Sequence, residues 1–173
     1  MGDCYKEILI SRDPRGSDTV KKILLVLADI LLACMGIFLV PFMLVGFLIM
    51  IFVTVYLFQN MKVEYEYIYV NGDFEIARIM NKERRKKSED LSLNQMIIAA
   101  RTGSDELKGP LHDARVMDYT SGSGRGPGWT LIYNNGDSGK KAIMLEMDDR
   151  EIMDDLWHRA PGKVIRDRRY KPD

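Results

Sequence analysis

Histidine and cysteine, the residue types on which many metal and catalytic centres depend, are scarce in this 173-residue chain. His112 and His158 lack the spacing of a zinc-binding helix, and Cys4 lies far from Cys34, which falls inside a hydrophobic run. These cysteines cannot build a disulfide framework or a thiolate metal site within one domain, and a reducing compartment is expected. We predict that the protein holds no metal and no cofactor.

The chain also lacks an excess of charge of either sign. Lys and Arg number 25, Asp and Glu number 25, and the formal net charge is zero. Nucleic-acid-binding proteins attract phosphates with a surplus of basic residues, so we expect no nucleic-acid partner. The length accommodates one globular domain of about 100 to 150 residues and one additional segment.

Between residues 23 and 58 the sequence is almost entirely apolar, with Asp29 as the single charge. One straight helix of this length would exceed the hydrocarbon core of a bilayer, which is about 30 Å thick. Gly36 and Pro41 lie near the middle, so the pattern predicts two helices joined near residues 37 to 41. The length of the run predicts two membrane spans, and the basic residues on both flanks predict that both chain ends lie in the cytoplasm. A hairpin that re-enters within one leaflet is the alternative, because each arm is short.

Asp29 is the one ionisable group of this apolar segment. Intramembrane acids usually face a partner helix or a water path, which would indicate function. The simpler interpretation is that Asp29 is hydrated near the interface, or hydrogen-bonds within the hairpin or across a homo-oligomer.

The segment after the apolar run has the pattern of a β domain. Residues 63–70 alternate apolar and polar side chains, Asn71-Gly72 is typical of a type I′ turn, and residues 73–80 form the returning strand. This pairing predicts Phe74 opposite Tyr69 and Ile76 opposite Tyr67. Five further strands are predicted near residues 84–92, 94–100, 114–120, 129–135 and 140–147, followed by a helix over residues 149–159.

About seven antiparallel strands followed by one C-terminal helix is the order of a pleckstrin-homology-like (PH-like) barrel. The predicted fold class is therefore a membrane α-hairpin plus a mainly β domain. The predicted organisation is an N-terminal cytoplasmic segment (1–20), a transmembrane hairpin (21–60), a PH-like domain (61–160) and a basic tail (161–173).

The most charged stretch follows the predicted β-hairpin. The returning strand brings this stretch back toward the membrane, where each Lys or Arg near anionic lipid contributes about 1 kcal/mol. The alternative is that these cations only prevent an exposed sheet edge from pairing with other chains. The candidate lipid or partner site consists of Lys82, Arg84, Arg85, Lys86 and Lys87.

Motifs for nucleotide binding and catalysis are incomplete. Residues 121–128 are rich in glycine but have Pro127 where a third glycine would be needed, and they indicate a loose hairpin loop. Residues 134–141 lack the first glycine and the Ser or Thr of a Walker motif, and they indicate a turn between strands. The aspartates near residues 148–155 are those expected around a helix start. No nucleophile signature occurs, so no catalytic residue is predicted and the protein is not expected to be an enzyme.

The chain resembles an uncharacterised family of small two-helix membrane proteins from anaerobic Gram-positive bacteria, with a PH-like domain of unknown function. The resemblance is carried by residues 63–72 directly after the hairpin, by Ile79, Lys82 and residues 84–86, by residues 118–122, and by the C-terminal helix ending near Pro161. It implies the same anchor and β domain, and it supplies no activity, cofactor or catalytic residue.

The leading hypothesis is a membrane-anchored module whose PH-like domain binds anionic headgroups or a protein. The alternative is a structural subunit of a larger membrane complex, in which the hairpin contacts a second copy or another membrane protein through Gly36, Gly46 and Asp29.

Overall fold

The computed structural model describes residues 3–38, 43–124 and 126–165, which form two four-stranded sheets and a helical hairpin. The strands are β1 (Tyr5–Ser11), β2 (Val63–Val70), β3 (Asp73–Met80), β4 (Arg84–Leu91), β5 (Met96–Arg101), β6 (Ala114–Asp118), β7 (Gly128–Asn134) and β8 (Lys140–Glu146). The helices are α1 (Gly16–Phe38), α2 (Met43–Asn60), the short α3 (Lys108–Leu111) and α4 (Arg150–Arg159).

The first sheet has the order β1-β2-β3-β4 and is antiparallel throughout. Asn71 and Gly72 both adopt positive φ angles, as a type I′ turn requires, and they bring Phe74 opposite Tyr69. Ile76 lies opposite Tyr67. The predicted β2–β3 hairpin and its register are therefore confirmed.

The helical hairpin, formed by α1 and α2, is inserted between two strands that pair with each other. Ser11 at the end of β1 lies opposite Glu64 in β2, and the Arg12 amide donates to the Val63 carbonyl at 2.9 Å. Arg12 and Asp18 hold the start of α1 beside the sheet, with 2.6 Å between Nη2 and Oδ2. The hairpin thus extends from the tip of a β-ribbon.

The second sheet has the order β5-β7-β8-β6. β7 and β8 form an antiparallel pair in which Asn134 lies opposite Lys140, so the predicted turn over residues 134–141 is confirmed. β6 pairs with β8 in parallel, and Val164 forms a parallel bridge with Ala99 outside the named strands. Because β8 lies between β6 and β7 in this order, the prediction of a hairpin loop over residues 121–128 is wrong.

Alternation of apolar and polar residues in β2 directs three tyrosines into the core, where Tyr65, Tyr67 and Tyr69 are all buried. The first residues of α4 are fixed by Asp149, whose carboxylate accepts from the amides of Glu151 and Ile152. The apolar face of α4 contributes Ile152 and Leu156 to the same core. The C-terminal helix was predicted correctly to within one residue.

The predicted fold class is wrong in its overall architecture. The described residues form two sheets of four strands each and four helices, not a single seven-stranded barrel with one helix. The unpredicted strand is β1, whose partner β2 lies beyond the whole helical hairpin. One strand pair is parallel, which local patterning could not reveal.

No helix in the described ranges is long and apolar enough to cross a membrane. The 18 residues of α2 rise about 27 Å, less than the hydrocarbon core of about 30 Å. α1 is longer but contains Lys21, Lys22 and Asp29. The prediction of a two-span protein of the cell membrane is therefore contradicted. Pro41, near the predicted helix joint, lies outside the described residues.

Candidate functional site

The most unusual surface of the molecule is that of the helical hairpin, because it exposes large apolar side chains along nearly its full length. A helix on a globular domain normally has one apolar stripe and one polar face. Phe52 is 78% exposed and Leu31 is 61% exposed, although they lie on different helices. The exposed apolar residues of α1 and α2 are Val20, Ile23, Leu24, Val26, Leu27, Ile30, Leu31, Ile37, Leu44, Val45, Leu48, Ile49, Ile51, Phe52, Val53, Val55, Tyr56 and Leu57.

An apolar surface of this extent marks an interaction site, since monomeric proteins rarely expose patches beyond a few hundred Å². Water is not a favourable environment for it.

The two helices approach each other closely where α1 carries Gly36. A Cβ added there would lie 2.9 Å from Cδ2 of Leu44 and 3.2 Å from its backbone nitrogen. Gly46 is different, because a Cβ at that position meets nothing within 4 Å. Of the two glycines considered for helix assembly, Gly36 thus serves packing within the hairpin and Gly46 faces open space.

Asp29 lies on α1 with Oδ1 shielded from solvent and without a hydrogen-bond partner among the described residues. Oγ1 of Thr54 on α2 is in the same situation. The predicted hydrogen bond of Asp29 within the hairpin is therefore not formed by Oδ1 in the described parts of the chain.

Cations surround the base of the hairpin, where the helices meet the first sheet. Nζ of Lys22 lies 5.8 Å from the ring centroid of Phe58, and Lys21 lines a shallow groove with Asn60 and Met61. Lys62 is exposed immediately after α2. The base of the hairpin is thus basic although the chain has no net charge.

The β3–β4 turn adds to this basic end. The Asn81 amide donates to the Lys62 carbonyl at 3.0 Å, and Nη1 of Arg84 lies 3.5 Å from the Tyr56 hydroxyl in α2. Lys82 is exposed in the turn with a positive φ of 58°. The start of the predicted basic run therefore lies at the hairpin base, as the sequence geometry suggested.

Two residues of the run, Arg85 and Lys87, form what we call the outer basic pair, because they share the outer face of the first sheet with carboxylates. Arg85 bonds Glu66 and, at 2.9 Å, Glu75. Lys87 lies 3.0 Å from Glu75 and 2.9 Å from Asp90. Hydrogen bonds from Lys87 and Arg85 lower the pKa of the Glu75 carboxyl. The outer pair is thus already compensated.

The remaining cations of β4 lie on the opposite face, together with one that sequence reasoning missed. Arg84 lies opposite Met80 in the register, and Lys86 lies opposite Arg78. We call Arg78, Arg84 and Lys86 the inner basic cluster. Arg78 occupies an inward position of the predicted β2–β3 hairpin, opposite Tyr65. An arginine at an inward strand position could have identified it from the sequence as a candidate site residue.

Carboxylates are gathered at the start of α4, next to a groove of about 560 Å³ between β1 and that helix. Several have structural partners: Glu146 accepts from the Ser121 amide at 2.8 Å, Asp149 caps α4, and Glu151 pairs with Lys6. Asp155 accepts from the Tyr69 hydroxyl at 2.7 Å. These contacts give Glu146, Asp149, Glu151 and Asp155 structural roles at the start of α4 and in its first turns.

The histidines take part in local contacts. Nδ1 of His158 lies 2.6 Å from the Asp154 carbonyl in the preceding turn of α4, and His112 is exposed beside Asp113. Within the residues the structure describes, no group of His, Cys, Asp and Glu is placed to hold a metal ion. The basic tail beyond residue 165 lies outside the described residues.

A family model described as a bacterial PH-like domain (DUF6106) matches residues 2–166 of the chain. The match includes the residues of the helical hairpin together with both sheets. Neither the curated proteins nor the solved structures give a match to the chain.

Proposed function

Because the chain belongs to the bacterial PH-like domain family DUF6106, we propose that it is a binding module held at a lipid surface by its helical hairpin. In this proposal the apolar hairpin enters the membrane from one side without crossing it, and the two-sheet domain stays at the headgroup layer. The observation that carries the proposal is the apolar surface exposed around both helices, bounded at one end by cations.

Energetics favour a lipid environment for this surface. Burying one exposed Leu or Phe contributes about 1.5 to 3 kcal/mol, and many such side chains are exposed on the hairpin. Helices too short to cross a bilayer are stable in lipid when their apolar faces are immersed and their charged ends remain in the headgroup region. Lys21, Lys22, Lys62 and Arg84 lie at the end where headgroups would be.

The chain carries a natural probe for this test in Cys34, which is exposed on α1, whereas Cys4 is buried in the β domain. We expect a water-soluble thiol reagent to modify Cys34 slowly when neutral phosphatidylcholine vesicles are present, and the full chain to float with those vesicles. Unchanged Cys34 reactivity together with absence from the floated fraction would refute the proposal.

Two matched variants test which part of the protein contacts the vesicle. Leu48→Gln with Phe52→Gln removes two exposed apolar side chains from the hairpin, and Leu9→Gln with Val116→Gln removes two from the sheets. The hairpin variant should bind neutral vesicles more than tenfold more weakly, since each lost side chain contributes about 1.5 kcal/mol or more. The sheet variant should bind as the wild type does.

The second candidate is a structural subunit that assembles through the hairpin. Gly46 favours it, because nothing lies within 4 Å of a Cβ at that position and a second helix could approach closely there. The mass of the full chain in detergent micelles separates the candidates. A lipid-surface module is expected to be monomeric, whereas a dimer broken by Gly46→Leu would support assembly.

A further inference from the structure

The inner basic cluster brings three cations together on one face of the first sheet. Arg78 and Lys86 are directly opposite each other on β3 and β4, which sets their Cβ atoms about 5 Å apart. Arg84 is two residues from Lys86 on the same strand and therefore points to the same face. Like charges placed opposite each other repel, so this arrangement is unfavourable without an anion.

No carboxylate compensates the cluster within the described parts of the chain. None of the three side chains forms an ion pair there, and the hydrogen bond of Arg84 goes to the neutral hydroxyl of Tyr56. The outer basic pair on the same strand shows the contrast, since both of its members are bound by carboxylates. The inner face of β4 does carry one carboxylate, Glu89 opposite Ile76, but Glu89 is paired with Lys141 at 2.9 Å and forms no ion pair with the cluster.

Arg78 carries an additional sign of a missing ligand. Its Nε is shielded from solvent and has no hydrogen-bond acceptor among the described residues. A guanidinium donor in this state is unfavourable, and an oxygen of a bound anion would satisfy it. Arginine binds phosphate groups in a forked geometry that lysine supplements as a point charge.

The position of the cluster indicates where such a phosphate would come from. Arg84 reaches Tyr56 near the end of α2, and the turn before it hydrogen-bonds the carbonyl of Lys62. If the helical hairpin is immersed in lipid, this is the level of the headgroup phosphates.

We propose that Arg78, Arg84 and Lys86 form a binding site for the phosphate group of an anionic lipid headgroup. This inference rests on the proposed function, because the hairpin brings the cluster to the lipid surface. The site distinguishes anionic from neutral membranes, whereas the hairpin binds both.

The full chain is tested by flotation with neutral phosphatidylcholine vesicles and with vesicles that also contain phosphatidate. The site variant is Arg84→Gln with Lys86→Gln, and its control is Arg85→Gln with Lys87→Gln. Both variants lose two positive charges from exposed positions of one strand, so long-range attraction falls equally. Circular dichroism verifies that both remain folded.

The wild type should prefer phosphatidate vesicles, and the site variant should lose about tenfold or more of that preference. The control variant loses the same two charges, and it should keep at least about ten times more of that preference than the site variant. Equal losses in the two variants would overturn the site, because they would show general attraction between charges.

The neutral vesicles separate this proposal from the proposed function. If the wild type binds neutral vesicles but shows no preference for phosphatidate, the phosphate site is wrong and the hairpin proposal stands. If the wild type binds neither vesicle, both the proposed function and the lipid phosphate site are overturned. Soluble glycerol phosphate tests the source of the phosphate. If it raises the melting temperature of the wild type but not of the site variant, and the wild type shows no preference for phosphatidate vesicles, the lipid source is overturned.

Discussion

The Tyr69 hydroxyl donates a hydrogen bond of 2.7 Å to Oδ2 of Asp155, 86 residues further along the chain. The same oxygen accepts from Nε of Arg159 at 2.7 Å, and the Arg159 guanidinium also donates to Oδ1 of Asn71 at 3.0 Å. One carboxylate thus connects β2, the β2–β3 turn and α4. This contact therefore adds to the core packing of Ile152 and Leu156 in holding the C-terminal helix against the first sheet.

Replacing that carboxylate should destabilise the protein. Asp155→Asn removes the charge-assisted bonds at a site where the side chain is 12% exposed, and we expect the free energy of unfolding to fall by about 1 to 3 kcal/mol. Urea denaturation of the full chain measures the change. Asp105→Asn, at an exposed position, is the control and should change stability by less than about 0.5 kcal/mol. Equal effects of the two substitutions would contradict this role.

The same carboxylate predicts a loss of stability in acid. Burial raises the pKa of Asp155, but hydrogen bonds from Arg159 and Tyr69 outweigh it and lower the pKa below its ordinary value. A lowered pKa stabilises the fold at pH values above the unfolded-state value of about 3.9, and this contribution is lost as the pH falls through the folded-state pKa. The difference in stability between wild type and Asp155→Asn should therefore shrink from pH 7 to pH 3. A stability difference that stays constant with pH would show that the substitution acts through packing and not through the charge of Asp155.

An ion pair between the two sheets carries the next prediction. Nζ of Lys141 in β8 lies 2.9 Å from Oε2 of Glu89 in β4, and the Glu89 side chain is only 10% exposed. Glu89→Gln leaves the lysine without its partner and should lower the free energy of unfolding by about 1 to 3 kcal/mol. The double variant Glu89→Gln with Lys141→Gln should lose less than the sum of the single variants. Strict additivity would show that the two residues are not coupled.

The sequence pattern predicted the structural features that depend only on nearby residues. The Asn71-Gly72 turn, the alternation of β2 and the capped start of α4 depend on neighbours within a few residues, and all three were predicted. β1 was missed because its seven residues gain a partner only when the chain returns after the helical hairpin. The parallel pairing of β6 with β8 also joins distant segments.

In the candidate site, too, the local features were predicted and those that depend on strand pairing were not. The basic run was visible in the sequence, but its division into compensated and uncompensated residues required the register of β3 against β4. The same register places Arg78 opposite Lys86 and so identifies it as a member of the cluster. The apolar helices were also visible, while the sequence alone overestimated their ability to cross a membrane.

The glycines of the helical hairpin should respond oppositely to alanine. Alanine favours a helix over glycine by about 0.5 to 1 kcal/mol, so Gly46→Ala, in open space, should stabilise the protein by that amount. Gly36→Ala gains the same propensity but brings a Cβ to 2.9 Å from Leu44, and it should give no stabilisation or a loss. Thermal unfolding of the two full-length variants tests the difference. Equal stabilisation would show that α1 and α2 are not closely packed at Gly36.

The insertion of the hairpin at the tip of a β-ribbon makes the two functional parts separable. The Arg12 amide already donates to the Val63 carbonyl. Replacing residues 13–62 with the two-residue turn Asn-Gly should therefore close the β1–β2 ribbon with little rearrangement. A fragment that simply begins at residue 62 would lack β1 and leave the β2 edge unpaired.

We expect the shortened chain to unfold cooperatively with the circular dichroism of a mostly β protein, and no longer to float with neutral vesicles. Retention of neutral-vesicle binding would show that the sheets, and not the helical hairpin, contact lipid. Failure to fold would show that α1 and α2 are required for the stability of the first sheet. Because Arg78, Arg84 and Lys86 remain in place, weak binding to phosphatidate vesicles should persist in the shortened chain. The difference between the two vesicle types then separates the contribution of the cations from that of the apolar helices.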